Sequence, residues 1–104
     1  MRVYLKSVKR MIDTVGEYNE KTKELIVLKG SKVSGYVSEA EKFRGANTVI
    51  KQRKQYVKDN VVLEDVIFKS SSTAANFVTG SSTNGLVAWK DANGKKLKDV
   101  LSDN

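Results

Sequence analysis

The segment from Phe68 to Leu97 is so dense in local start and stop signals that few folds can accommodate it. It opens Phe68-Lys69-Ser70-Ser71-Ser72-Thr73-Ala74-Ala75. An apolar stretch runs into hydroxyls, and hydroxyls satisfy the unpaired amides of a helix's first turn. Ala74, Ala75, Phe77 and Val78 then recur at helical spacing. Gly80 stands where a left-handed stop belongs. The segment continues Asn84-Gly85-Leu86-Val87-Ala88-Trp89-Lys90 and Asn93-Gly94-Lys95-Lys96-Leu97. Leu86 to Trp89 reads as a short extended run carrying the only Trp. Asp91-Ala92-Asn93-Gly94 reads as a turn, and Leu97, Val100 and Leu101 mark a last helical turn or two.

Upstream, Val3-Tyr4-Leu5 reads as a short strand, and Met11 to Tyr18 suits a strand or a short helix. Asn19 to Lys23 is a turn. Glu24-Leu25-Ile26-Val27-Leu28-Lys29 is the clearest strand, a continuous apolar run between charges. Segments 12–18 and 24–29 make a hairpin. Residues 31–45 are loop-like, with capping-box spacing at Ser38-Glu39-Ala40-Glu41. The spacing predicts a helix over 46–58. Ala46, Val49, Ile50, Tyr56 and Val57 share one face, and Lys51, Lys54 and Lys58 share another. Arg53 interrupts the apolar stripe, with its stem packed and its head expected in water. Asp59-Asn60 is expected to end that helix. Val61-Val62-Leu63 and Val66-Ile67-Phe68 are strand-like.

Strands cluster early and helices later, without regular alternation. The expected fold is therefore α+β: one small domain over residues 1–104, an antiparallel sheet with an N-terminal hairpin covered by two or three short helices. A chain of 104 residues holds one modest core.

The chain has no His and no Cys. The usual zinc sites and the Ser-His-Asp and Cys-His nucleophile systems need those residues. The acids follow no calcium-loop spacing, and no Gly-rich phosphate loop precedes a helix. The expectation is a non-enzymatic protein without metal or cofactor. No apolar run approaches the roughly 20 residues needed to span a bilayer, and the N-terminus lacks a signal-peptide core. A cytoplasmic location is expected, without membrane contact.

The formal charge of +7 is unevenly placed. Residues 1–60 hold 14 Lys+Arg against 7 Asp+Glu, whereas residues 61–104 hold 5 against 5. Lys42, Arg44, Lys51, Arg53, Lys54 and Lys58 form an acid-free stretch. Such asymmetry suits a polyanion partner, and equally a solvated face that maintains solubility.

The "LKGS" strand end at Leu28-Lys29-Gly30-Ser31, the serine-led helix and the Asn-Gly…Trp-Lys…Gly-Lys…Leu run together resemble the domain-of-unknown-function family 4357, over about residues 15–101. The related RAMA domain has a similar version. Two positions depart from the family pattern. Ser71 stands where relatives carry Pro, and Leu86 where they carry a Trp. The resemblance implies DNA by context, because such domains occur in GIY-YIG nuclease proteins or beside restriction-modification genes.

The resulting expectation is a DNA-binding accessory domain. Lys42, Arg44, Lys51, Arg53, Lys54 and Lys58 would neutralise phosphates, while Ser70, Ser72, Asn84 and Trp89 would supply finer recognition. Each of the latter also has a structural reading: helix caps for Ser70 and Ser72, a turn for Asn84, core for Trp89. Two alternatives stand beside DNA binding. One is a protein-interaction domain for a nuclease or methylase. The other is a pocket for a small anion at the serine-led helix.

Overall fold

A computed structural model describes residues 1–38 and 45–102. The architecture is α+β, as expected. Strands β1 (Arg2–Ser7), β2 (Ile12–Tyr18), β3 (Leu25–Val27) and β6 (Val66–Phe68) form an antiparallel sheet in the order β1-β2-β3-β6. The N-terminal hairpins follow from alternation. Val3, Leu5, Ile12, Thr14 and Tyr18 point to one buried face, and Lys6 and Asp13 to the other. The segment 12–18, open between strand and helix in sequence, is a strand because β1 pairs along its whole length. The loop between β2 and β3 is organised by Asn19, whose Oδ1 accepts from the amides of Lys21 and Thr22.

Helix α1 spans Ala46–Tyr56 and stops two residues short of expectation. Val57–Lys58 instead forms strand β4, paired with β5 (Val61–Val62). Asp59 and Asn60 both have left-handed backbones (φ 53° and 65°). They make a two-residue hairpin turn of the kind that matches strand twist. Asp59-Asn60 therefore closes a hairpin and does not end a helix, and Lys58 is a strand residue.

Helix α2 (Ser71–Thr79) lies across β2, β3 and β6. Ser70 and Thr73 form a reciprocal capping box at its start. Gly80 ends it with φ 72°, and a side chain there would also meet the Tyr36 carbonyl. Helix α1 packs against α2. Phe77 of α2 meets Phe68 of β6 with ring centroids 5.0 Å apart.

The expected extended run at Leu86–Trp89 is instead a single helical turn, α3 (Gly85–Ala88). Asn84 caps it, its Oδ1 accepting from the Leu86 amide. Four consecutive apolar residues carry no period, so only the cap distinguished the two conformations. The turn over 91–94 forms as expected, and α4 spans Leu97–Ser102. Lys90 pairs with Tyr4, placing the C-terminal segment along the free side of β1. The buried side chains of sheet and helices form one cluster, with Trp89, Phe77, Leu25 and Leu97 its largest fully enclosed members. Among the described residues no helix is long and apolar enough to cross a membrane.

Candidate nucleic-acid interface

Of the ten residues singled out in the sequence, the eight among the described residues separate into two regions. Arg53 anchors α1 at the C-terminal end of α2. Ser70, Ser72, Asn84 and Trp89 gather at its N-terminal end, about 13 Å away along a nine-residue helix. Lys42 and Arg44 lie outside the described residues.

The N-terminal region is a structural clamp. Ser70 Oγ accepts from the Thr73 amide at 3.1 Å. Ser72 Oγ accepts from the Gly85 amide at 3.0 Å. Trp89 is 0 % exposed, its ring lies close over Gly16 of β2, and its Nε1 donates to the Ser71 carbonyl at 3.0 Å. Trp89 therefore offers no face to a nucleobase, and its place among recognition residues is corrected to core. The Ser70 and Ser72 hydroxyls are likewise committed to protein partners. Asn84 remains exposed, although its amide oxygen serves as a cap. Leu86, at the position of the relatives' Trp, is 38 % exposed and does not fill the core.

Arg53 is the larger correction. Its head is not in water. Nε donates to the Phe77 carbonyl, Nη1 to the carbonyls of Ser34 and Tyr36, and Nη2 to Ser34 Oγ and the Val78 carbonyl. All five guanidinium donors are thereby used, so none remains for a phosphate. Arg10, in the β1–β2 turn, donates to the Thr79 carbonyl and to the Tyr36 hydroxyl, with its guanidinium over the Tyr36 ring. Two arginines thus satisfy the last carbonyls of α2, which have no partners within the helix, at the negative end of its dipole. Burial, and then the nearby Arg10 charge, push the Arg53 guanidinium down to about 10, so it stays cationic at neutral pH. A sequence signal existed. Ala46, Val49, Arg53 and Tyr56 fall on one line of the helix, and Arg53 occupies a slot where a core residue is expected.

Replacing Arg53 by Met should therefore cost about 2–4 kcal/mol in denaturant unfolding, because buried carbonyls are deprived of charged donors. Arg53→Lys should recover only part of that loss, since an ammonium cannot span five acceptors. A variant as stable as the wild type would show that the network contributes nothing.

Of the sequence-derived cations, Lys51, Lys54 and Lys58 remain exposed, and among the described residues they make no ion pair. The scattered lysines of the strands escaped a reading based on local charge density. Lys6, Lys32, Lys90 and Lys96 are all exposed.

A family model for the Domain of unknown function (DUF4357) matches residues 4–101, and the chain belongs to that family. The match begins earlier than the resemblance did, taking in most of β1, which the Lys90 pairing makes an inner strand of the fold. Comparisons with curated proteins and with solved structures give no match. The serine, Asn-Gly and Trp positions that carried the resemblance are the clamp described above: a cap, a second cap, a close backbone approach and a buried ring.

Proposed function

We propose that this protein is a non-enzymatic, DNA-binding accessory domain that contacts the phosphate backbone through solvated lysines. The observation that supports this reading is the state of its cations. Among the described residues, internal ion pairs engage only Arg2, Lys6 and the N-terminal amine of the cations in the first sixty positions. Lys51, Lys54 and Lys58 stand exposed on α1 and the strand that follows it, without an acid partner among the described residues. A lysine ammonium is a strongly hydrated point charge, suited to phosphate and indifferent to sequence. With Trp89 and the serine hydroxyls engaged internally, few groups are left to read base edges, and backbone contact is favoured over base-specific recognition.

The test is a titration of duplex DNA at several salt concentrations. Removing one phosphate contact should reduce the salt slope by about 0.9. The triple variant Lys51→Gln, Lys54→Gln, Lys58→Gln should bind more weakly with a shallower slope and an unchanged melting temperature. Absence of salt-dependent binding by the wild type would favour a protein-interaction domain, because a surface for a nuclease or methylase need not release counterions.

A further inference from the structure

Lysines scattered over β1, β4 and three isolated bridge positions converge on a single surface. Directly paired residues in an antiparallel sheet project to the same face. Lys6 pairs with Asp13, Asp13 with Lys32, Lys32 with Val61, and Val61 with Lys58. These five positions form one lateral row across four strands and the bridging residue Lys32, about 19 Å wide at ~4.8 Å per step. A second row lies two residues further along β1, roughly 7 Å away: Lys96 pairs with Lys90, Lys90 with Tyr4, and Tyr4 with Val15. The alternate residues Leu5, Ile12, Val33, Val62 and Leu97 are buried. The lysine rows therefore occupy the face of the sheet opposite the core and α2.

We propose that this uncovered sheet face is the principal duplex-binding surface, with Lys6, Lys32, Lys58, Lys90 and Lys96 contacting phosphates. The inference rests on the DNA-binding reading above and relocates its centre from α1 to the sheet, the two meeting at Lys58. Charge complementarity identifies the occupant. Five lysines share the two rows with one carboxylate, Asp13, which faces Lys6 at 3.9 Å. Among the described residues, Lys32, Lys58, Lys90 and Lys96 make no ion pair. Beyond them, Arg2 of β1 and Glu17 of β2 neutralise each other. Among the described residues of the two rows there is no open stacking platform, which selects duplex over single strand. Tyr4 is the aromatic of the two rows, it is half-buried, and the Lys6 ammonium covers its ring at 5.3 Å. Sequence-tolerant binding of single strands relies on exposed rings.

The experiment compares wild type, the sheet variant Lys6→Gln, Lys32→Gln, Lys90→Gln, Lys96→Gln, and the helix variant Lys51→Gln, Lys54→Gln. Each is titrated at graded salt with a short labelled DNA duplex, one of its single strands, and polyglutamate. All six positions are exposed, and circular dichroism melts verify that the fold survives. The sheet variant should lower the salt slope by roughly 3 to 4, at about 0.9 per phosphate, and the helix variant by less than about 2. If wild type binds duplex and the helix variant is weakened as much as the sheet variant or more, the sheet assignment fails while DNA binding stands. If wild type binds no duplex, both fail. Equal or tighter binding of the single strand overturns the duplex assignment. Equal or tighter binding of polyglutamate makes the face a site for acidic proteins and overturns the proposal.

Discussion

Trp89→Ala should destabilise the domain by roughly 3–5 kcal/mol, the range for large aromatic truncations in cores. Trp89 is fully enclosed and is the largest buried side chain. Its removal opens a void between β2 and the first turn of α2, and leaves the Ser71 carbonyl without the indole donor. Small domains hold only about 5–15 kcal/mol in total, so the variant should melt on the order of 20 °C lower. Trp89→Phe separates the two contributions. It keeps much of the ring but not the N–H, and should cost about 1–3 kcal/mol. As the only Trp, residue 89 also reports directly. Native emission should be blue-shifted and insensitive to added duplex. Emission that is red-shifted in the native state and quenched by DNA would place the ring on the surface.

Gly85→Ala should be comparably damaging, against the trend for helices. Alanine in place of glycine ordinarily favours a helix by about 1 kcal/mol. Here a Cβ would lie less than 3.0 Å from both the Ser71 carbonyl carbon and the Ser72 nitrogen. Both are backbone atoms of the first turn of α2 and cannot swing aside. The backbone of Gly85 is not left-handed, so the requirement is for close approach and not for conformational freedom. Relieving the clash must separate α3 from α2, breaking the Gly85–Ser72 and Trp89–Ser71 hydrogen bonds. A loss of about 3 kcal/mol or more is expected, at the upper end of overpacking costs. A neutral or stabilising effect in urea denaturation would contradict the packing.

Much of this clamp was legible in the sequence, for reasons that are local. The serines before Ala74 and the glycine at 80 act on backbone groups within a few residues, so their roles follow from position. The hairpin of 12–18 with 24–29 was legible from the apolar run at 25–28, but the apolar Ile12, Val15 and Tyr18 are spaced by three, and only pairing with β1 makes 12–18 a strand. What could not be read was decided across the fold. Leu86 to Trp89 is apolar throughout and carries no period, so only the Asn84 cap separates one turn of helix from a strand. Val57 and Lys58 continue a helical pattern, but pairing with Val61 and Val62 outweighs it. Arg53 looks like any margin residue until the carbonyls of Phe77 and Val78 arrive from twenty-odd positions later. The lysines of the sheet face are separated by up to ninety residues, and no window along the chain contains them together.

The pairing of Tyr4 with Lys90 also governs the order in which the protein can be made. Until residue 90 has left the ribosome, β1 has one bare edge of unpaired amides and carbonyls, and the core lacks its largest ring. Exposed edges of this kind recruit other strands, and partly built sheets are prone to such errors during synthesis. The first eighty residues can form hairpins and α2, yet they cannot close the sheet. Completion should therefore come late and abruptly, with acquisition of the Trp89 segment. A nascent chain stalled with the Trp89 segment still inside the ribosome should be sensitive to protease along β1, and one whose Leu101 has cleared the ribosome should be resistant.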